Sequence, residues 1–222
     1  MSRITSLDQL RALYATPRER SLRKVMPALD IHCRSLIALS PLVMVGSFGA
    51  DGRADVTPRG DAPGFVEVVD GATLLIPDRP GNNRLDTLTN LLANPAIGLL
   101  FLVPGVDETL RVNGTAEIRD DAELLARFEV EGKRPVTVLK VDVQEAYLHC
   151  AKAFMRSRAW DPAAHVRRCS YATARRSTEP RGAPPATGSP ACFIAASTIG
   201  CSLCGRMGRA SSHEPCINPP SL

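Results

Sequence analysis

Short apolar stretches separated by turn-forming residues fill the middle of the chain. Gly- and Pro-containing turns at this short spacing predict antiparallel strands. The predicted strands are Leu42–Phe48, Arg53–Pro58, Phe65–Val69, Thr73–Ile76, Ile97–Val103, Thr109–Ile118 and Val136–Val143. In the last of them we expect Val136 and Val138 to point inward, with Leu139 or Val141. Six or seven strands in about 105 residues fit a small closed or split barrel.

Helical patterns lie before the strands, once between them and after them. Ser6 and Thr16 each open a capping pattern, and Asp30 can cap a third helix that ends at Ser40-Pro41. The later predicted helices are one with a face of Leu85, Leu88, Leu91 and Leu92, one over Asp120–Glu131 and one over Glu145–Arg156. The pattern predicts a mainly β (α+β) fold with N-terminal helices, one crossover helix and a C-terminal helix.

The composition changes sharply near residue 163. Residues 1–162 hold 20 Lys and Arg against 21 Asp and Glu, whereas residues 163–222 hold 7 Arg, 2 Glu and five of the seven cysteines. This tail has neither helical nor strand periodicity, so we expect it to be disordered. We therefore expect a helical segment at 1–40, a barrel domain at 41–162 and a disordered tail at 163–222. A second hypothesis is that the tail is translated out of frame.

The charge and hydropathy exclude two classes of partner. The formal net charge of +4 arises in the tail, which lacks Lys and the interleaved aromatic residues that stack on bases, so we expect no nucleic acid. No apolar run reaches the length of a membrane span, and Met1–Leu10 does not resemble a signal peptide. We expect a cytoplasmic protein, without a membrane partner, whose cysteines are free thiols.

Two groups of reactive residues resemble a metal site or a catalytic pair, but we expect neither group to have that function. Cys201, Cys204, His213 and Cys216 could bind zinc, but their spacing matches no common zinc unit and we expect no metal. His149 and Cys150 are adjacent on a predicted helix and would point in different directions, so we expect a partly buried His beside a packed Cys. The common hydrolase, zinc-protease and nucleotide-binding motifs are absent, so the catalytic residues stay unassigned.

Residues 77–95 carry the strongest candidate for a binding site. Here the chain leaves an apolar strand, crosses a polar loop and enters an amphipathic helix. A helix N-terminus next to donor side chains suits a phosphate. The loop donors are Arg79, Asn82, Asn83 and Arg84, with Gly81 allowing close backbone approach. An ordinary connecting loop with solvated arginines explains the same composition, and the sequence leaves both interpretations open.

Further basic residues lie on the neighbouring predicted elements. Arg59 follows a strand, and Arg111 lies within another. Lys152, Arg156 and Arg158 surround the end of the last predicted helix, just before Trp160, the only tryptophan. A solvated basic face of the helix would explain these three residues without any ligand. It is a weaker explanation for Arg59, which lies between Pro58 and Gly60.

These residues fall in four stretches that together resemble the pyridoxamine 5′-phosphate oxidase-like flavoproteins, which are FMN-binding split barrels. The similarity runs from about residue 36 to about residue 166. Its motifs are VTPRGDAPGFV at 56–66, LLIPDRPGNNRLDTLTNLLANPAIGLLFLVPG at 74–105, ETLRVNG at 108–114 and HCAKAFMRSRAW at 149–160. The second motif is the most specific of the four.

The resemblance implies a homodimer with two FMN molecules at the subunit interface. The phosphate would be held by Arg59, Asn82, Asn83 and Arg84. The ring or ribityl chain would be lined by Thr57, Pro58, Ile76, Pro77, Asp78 and Arg79, with Arg111 near the ring. The residues expected to reach the flavin of the other subunit are His149, Lys152, Arg156 and Trp160.

The resemblance also implies an FMN-dependent oxidoreductase that passes electrons between the flavin and a small-molecule substrate or reduced donor. Neither that substrate nor the donor follows from the sequence. Oxidation of pyridoxamine phosphate itself is disfavoured, because no second phosphate-binding group of residues is evident. Two alternatives stay open: a flavin-binding protein without turnover, and a split barrel that binds a deazaflavin or haem.

Overall fold

Seven antiparallel strands dominate the computed structural model of this chain, which describes residues 3–22 and 24–166. The strands are β1 (Leu42–Phe48), β2 (Ala54–Gly60), β3 (Glu67–Val68), β4 (Thr73–Asp78), β5 (Ala96–Leu102), β6 (Thr109–Arg119) and β7 (Thr137–His149). They form one sheet in the order β2-β1-β5-β6-β7-β4-β3. Because β2 and β3 are edges of this sheet and are not paired with each other, the barrel is split. The mainly β fold is confirmed.

The core lies on one face of the sheet, where alternate side chains of the strands are buried. Val43 and Val45 of β1 and Leu99 and Phe101 of β5 are all 1% exposed or less. Burying each such side chain contributes roughly 1.5–3 kcal/mol. Burial alternates along β1 because successive side chains of a strand point to opposite faces of the sheet.

Six short helices and one 3-10 turn surround the sheet in the described residues. They are α1 (Leu7–Leu13), α2 (Glu19–Leu22), α3 (Ile31–Leu39), α4 (Asp86–Ala93), α5 (Ala122–Arg127), α6 (Lys152–Ser157) and the turn Pro162–Ala164. Asp30 caps α3 as predicted, because its carboxylate accepts a hydrogen bond of 2.8 Å from the Cys33 amide. Cys33 and Ile37 then insert into the main core.

The end of the barrel differs from the prediction. Residues 145–149 continue β7 rather than beginning a helix, and α6 starts only at Lys152. The reason is tertiary: Glu145, Tyr147 and His149 pair across the sheet with residues of β6. These ladder hydrogen bonds outweigh a local helix preference that is worth only tenths of a kcal/mol per residue.

Several burial predictions were also wrong. Val136 lies before β7 and is 61% exposed, whereas Val138 and Leu139 are both buried. Adjacent strand residues are buried together here because α5 covers the outer face, where Val138 packs with Phe128 in a second small core. The helix predicted over 120–131 contains only α5. Cys150 is exposed rather than packed.

The crossover helix α4 buries a narrower face than its leucines suggested. Leu91 is buried, and Leu88 packs against the main core. Leu85 and Leu92 are 53% and 81% exposed. Leu85 does not lie on the helical face at all, because it is the N-cap residue and has left-handed backbone angles.

No helix among residues 3–22 and 24–166 is long and apolar enough to cross a membrane. Cys33 and Cys150 are free thiols, as predicted. The predictions of a disordered or out-of-frame tail and the four candidate zinc ligands concern residues outside the described ranges.

Candidate functional site

A pocket of about 290 Å³ opens between β2, the end of β4 and the start of α4. It is lined by Asp55, Val56, Thr57, Arg59, Asp78, Gly81, Asn82, Asn83, Arg84, Leu85, Asp86, Thr87 and Leu88. We call it the α4 pocket. It brings together six of the residues predicted to bind the cofactor: Thr57, Arg59, Asp78, Asn82, Asn83 and Arg84.

The loop before α4 turns sharply into the helix. Asn83 and Leu85 have positive φ values of 59° and 58°, and the amide of Arg84 donates to Oδ1 of Asn82 at 3.2 Å. Among the described residues, the N-cap side chain makes no hydrogen bond to the start of α4. The first amide groups of a helix have no acceptor within the helix and carry partial positive charge. The α4 pocket thus contains uncommitted donors suited to an anion.

The deepest charges of the pocket are Arg59 on β2 and Asp78 on β4. Arg59 Nη2 lies 3.0 Å from Asp78 Oδ1, and only 9% of Asp78 is exposed. Nε of Arg59 is buried without a hydrogen-bond partner in the described structure, and Oδ1 of Asp78 contacts Arg59 as an ion pair without hydrogen-bond geometry. Burial raises the pKa of Asp78, and the opposing attraction of Arg59 is the smaller effect. An acceptor atom of a polar ligand would satisfy the buried Nε of Arg59.

Arg84 provides the more accessible charge. Its Nε donates to Oδ2 of Asp86 at 2.8 Å, and its side chain is 73% exposed. An exposed ion pair of this kind is weak and can exchange for another anion.

Two further hydrogen bonds fix α4 to the sheet. Thr87 donates to Oδ2 of Asp55 at 3.2 Å, and Asn90 donates to the hydroxyl of the buried Ser47 at 3.0 Å. These bonds connect α4 to β2 and to β1, so the helix N-terminus is held against the pocket. Asp55 and Thr87 were missed in the sequence. Asp55 lies two residues before Thr57, and the strand period alone would have placed both on one face.

A second cavity of about 210 Å³ adjoins the first, and Arg59 and Gly81 line both. Of these two cavities, only the second is lined by Pro58, Pro77 and Arg79. The guanidinium of Arg79 is engaged there, since it donates to Asp61 at 2.7 Å and to the carbonyl of Phe128 at 2.9 Å.

Ile76 and Arg111 are placed differently from these residues. Ile76 is 1% exposed and belongs to the main core. Arg111 pairs with Glu145 and lies over the ring of Tyr147, with 5.3 Å from its guanidinium carbon to the ring centroid. Tyr147 contacts His149 edge-on at 4.7 Å. Burial, assisted by the charge of Arg111, lowers the pKa of His149. This cluster lines neither cavity in the described part of the chain.

The remaining predicted residues follow β7. Nε of Arg156 donates to the carbonyl of Lys152 within α6 at 3.1 Å. Trp160 stacks on Phe154 at 5.3 Å, and its indole N–H donates to the carbonyl of Val106 at 2.9 Å. The structure therefore divides the predicted residues of one chain into the α4 pocket with its adjoining cavity, the Arg111 cluster and the α6 region.

Comparisons with known proteins agree with this fold. The family model described as pyridoxamine 5′-phosphate oxidase matches residues 29–150, more than half of the chain. No curated protein is significantly similar in sequence to this chain.

Three similar solved structures illustrate the likeness. HupZ from Group A Streptococcus is 19% identical, with a TM-score of 0.45, and the match covers 54% of this chain and 92% of that one. A protein from Lactobacillus delbrueckii, described as a putative pyridoxamine 5′-phosphate oxidase, is 21% identical at a TM-score of 0.43, with coverage of 55% and 95%. A protein from Clostridium acetobutylicum related to general stress protein 26 is 19% identical at 0.43, with coverage of 54% and 86%.

The matched residues 29–150 run from the start of α3 to the end of β7 and include all seven strands and the α4 pocket. The chain belongs to the pyridoxamine 5′-phosphate oxidase family.

Proposed function

We propose that this protein is an FMN-dependent oxidoreductase that binds the flavin phosphate in the α4 pocket. The observation that supports this most is the meeting of Arg59, Asn82, Asn83 and Arg84 with the N-terminus of α4 around one pocket. Guanidinium groups, amide side chains and free helix amides are the donors that proteins use for phosphates.

The residues present fit such a ligand. A phosphate offers acceptor oxygens to the unsatisfied Nε of Arg59 and to the uncapped amides at the start of α4. Burial raises the pKa of Asp78, and its carboxylate beside Arg59 can accept a hydrogen bond from a ligand hydroxyl. A dry apolar pocket would offer none of these contacts.

Under this proposal Arg59, Asn82, Asn83 and Arg84 hold the phosphate, and Thr57 and Asp78 contact the ribityl chain or the ring. The adjoining cavity accommodates the rest of the flavin, with Pro58, Pro77 and Arg79 as its walls. Ile76 positions Pro77 from the core side of β4. Bound FMN would supply the hydride or electron transfer, and the chain would orient it and limit access of water.

The proposal includes a homodimer. His149, Lys152, Arg156 and Trp160 are outside the lining of the α4 pocket in the described chain, and so is Arg111. We propose that these residues approach the flavin bound mainly by the other subunit. The small-molecule substrate, the electron donor, the cytoplasmic location and the division at residues 40 and 162 stay predictions.

The absorbance spectrum of the purified protein, before and after heat release of any ligand, tests the proposal. We expect flavin absorbance and about one FMN released per subunit. Bleaching by a nicotinamide donor, with recovery in air, would distinguish an oxidoreductase from a flavin-binding protein without turnover. A deazaflavin or haem spectrum, or failure to bind added FMN, would contradict the proposal.

A further inference from the structure

We propose that Asp86 competes with the ligand phosphate for Arg84 and thereby sets the affinity of the α4 pocket. This inference rests on the proposed function, because it concerns the same pocket. Arg84 and Asp86 flank the N-cap residue Leu85, and Nε of Arg84 donates to Oδ2 of Asp86 at 2.8 Å.

The charges of the pocket favour such competition. Its lining contains two guanidinium groups, of Arg59 and Arg84, and three carboxyl groups, of Asp55, Asp78 and Asp86. With every group ionised the lining has a formal charge of −1. Both guanidinium groups are already paired with a carboxylate, Arg59 with Asp78 and Arg84 with Asp86. A phosphate therefore enters a pocket whose arginines are engaged, and opening a pair gives it a guanidinium that is no longer shared with a carboxylate.

The two pairs differ in how easily they open. The side chains of Arg59 and Asp78 are 26% and 11% exposed, so separating them would leave charged groups away from water. The side chains of Arg84 and Asp86 are 73% and 48% exposed. When a phosphate takes Arg84, the carboxylate of Asp86 can turn into water at small cost. Asp55 is less free, since it accepts a hydrogen bond from the buried Thr87.

Asp86 has two effects that an experiment must separate. Its carboxylate occupies Arg84, and it also repels a phosphate directly through its charge. Only the first effect depends on Arg84. A double-mutant cycle over Asp86 and Arg84 measures that dependence.

The experiment is equilibrium titration of flavin-free protein with FMN, and with riboflavin as a ligand that lacks the phosphate. We expect Asp86→Asn to bind FMN about two- to fivefold more tightly than the unchanged chain, the range that an exposed ion pair implies. Riboflavin affinity should not change. In an Arg84→Gln background, the same Asp86→Asn substitution should tighten FMN binding clearly less, because only the relief of direct repulsion remains.

Asp121→Asn is the matched control. Arg119 and Asp121 form the same kind of pair two residues apart, at 2.7 Å, immediately before α5 and outside the lining of the α4 pocket as described. This variant loses a carboxylate at a helix start, as Asp86→Asn does, but its FMN affinity should equal that of the unchanged chain. Thermal unfolding checks that each variant is folded. If Asp86→Asn does not fold, Asp86→Ser replaces it, because Ser is also tolerated at helix starts.

The outcomes separate this inference from the proposed function. If FMN binds and Arg84→Gln weakens it, but Asp86→Asn binds no more tightly, the competition is refuted and the phosphate site stands. Equal tightening by Asp86→Asn with and without Arg84 also refutes it, in favour of plain charge repulsion. If neither the unchanged chain nor Asp86→Asn binds FMN, both proposals fail.

Discussion

At the scale of single residues, the α4 pocket depends on how each charge is partnered. Arg84 is exposed and weakly held, whereas Arg59 and Asp78 form a largely buried pair in which Nε of Arg59 has no hydrogen-bond partner in the described structure. Arg79, one residue beyond Asp78, donates from Nε to Asp61 and from Nη1 to the carbonyl of Phe128. From residue type alone, the three arginines would be equally good candidates for binding the phosphate. Their partners assign them different roles.

Replacing Arg84 with Ala should weaken FMN binding by about 1.5–3 kcal/mol, because a charge-assisted contact to the phosphate is lost. Fluorescence titration of flavin-free protein measures the effect. Riboflavin should bind both forms equally. Arg119→Ala is the control, since Arg119 makes similar contacts to carboxylates outside the α4 pocket. Unchanged FMN affinity in Arg84→Ala would show that the phosphate lies elsewhere.

Asp78 should make the protein less stable as the pH rises. Burial raises its pKa in the folded state above the ordinary value of 3.8, so the folded state binds more protons than the unfolded state between these two values. The contribution of Asp78 to the unfolding free energy is therefore largest below about pH 3.8. It is lost as the pH rises through the raised pKa.

Urea unfolding of the unchanged chain and of Asp78→Asn across this pH range tests the sign. The difference in unfolding free energy, unchanged chain minus variant, should fall as the pH increases and then level off. A difference that grows with pH would mean that attraction by Arg59 outweighs burial.

At the scale of elements, the pairing of β6 with β7 brings two backbones into close contact at Gly114. The two strands pair along most of their length, with a register shift between Asn113 and Gly114. A Cβ atom at Gly114 would clash with the carbonyl oxygen of Asp142 on β7. The two backbones are so close that only glycine fits at this irregularity.

Gly114→Ala should therefore lower the unfolding free energy by about 1–3 kcal/mol through overpacking. Gly98→Ala on β5 is the matched control, because a Cβ there would meet its nearest neighbour, Oδ1 of Asn113, at an ordinary 3.5 Å. Urea denaturation of both variants measures the difference. Equal stability of the two would mean that the β6 and β7 backbones separate without cost.

At the scale of the whole molecule, the proposed site is shared between two subunits. The residues expected to reach the flavin fall into groups that one chain does not bring into a single pocket. A pocket completed by a second copy of the chain would bring these groups of residues together around one flavin. It would also link cofactor binding to dimer assembly.

Sedimentation equilibrium should give a mass of twice 23.9 kDa. Added FMN should shift any remaining monomer towards the dimer, since a ligand that binds only the dimer stabilises it. Flavin absorbance recorded in the same run gives the stoichiometry, expected at one FMN per subunit. A monomer that binds one FMN at every concentration would contradict the shared site.

The sequence by itself determined the elements whose signals are local. Strand β1, the cap at Asp30 and the hairpin between β1 and β2 all appear where the sequence pattern predicts them. The stretch around Arg84 was also identifiable, because a polar loop, a helix start and basic side chains follow each other within one segment.

Only the tertiary structure decided features that depend on contacts between distant segments. Pairing with β6 extended β7 to His149, against the local helix preference. Packing of α5 on the outer face buried adjacent residues of β7. Asp61 and the carbonyl of Phe128 hold Arg79 away from the α4 pocket, whereas Asp55 lines it. Hydrophobic periodicity and secondary-structure propensity depend on residues that are neighbours along the chain. The partners of β7 and of Arg79 are distant in sequence and become neighbours only in the folded structure.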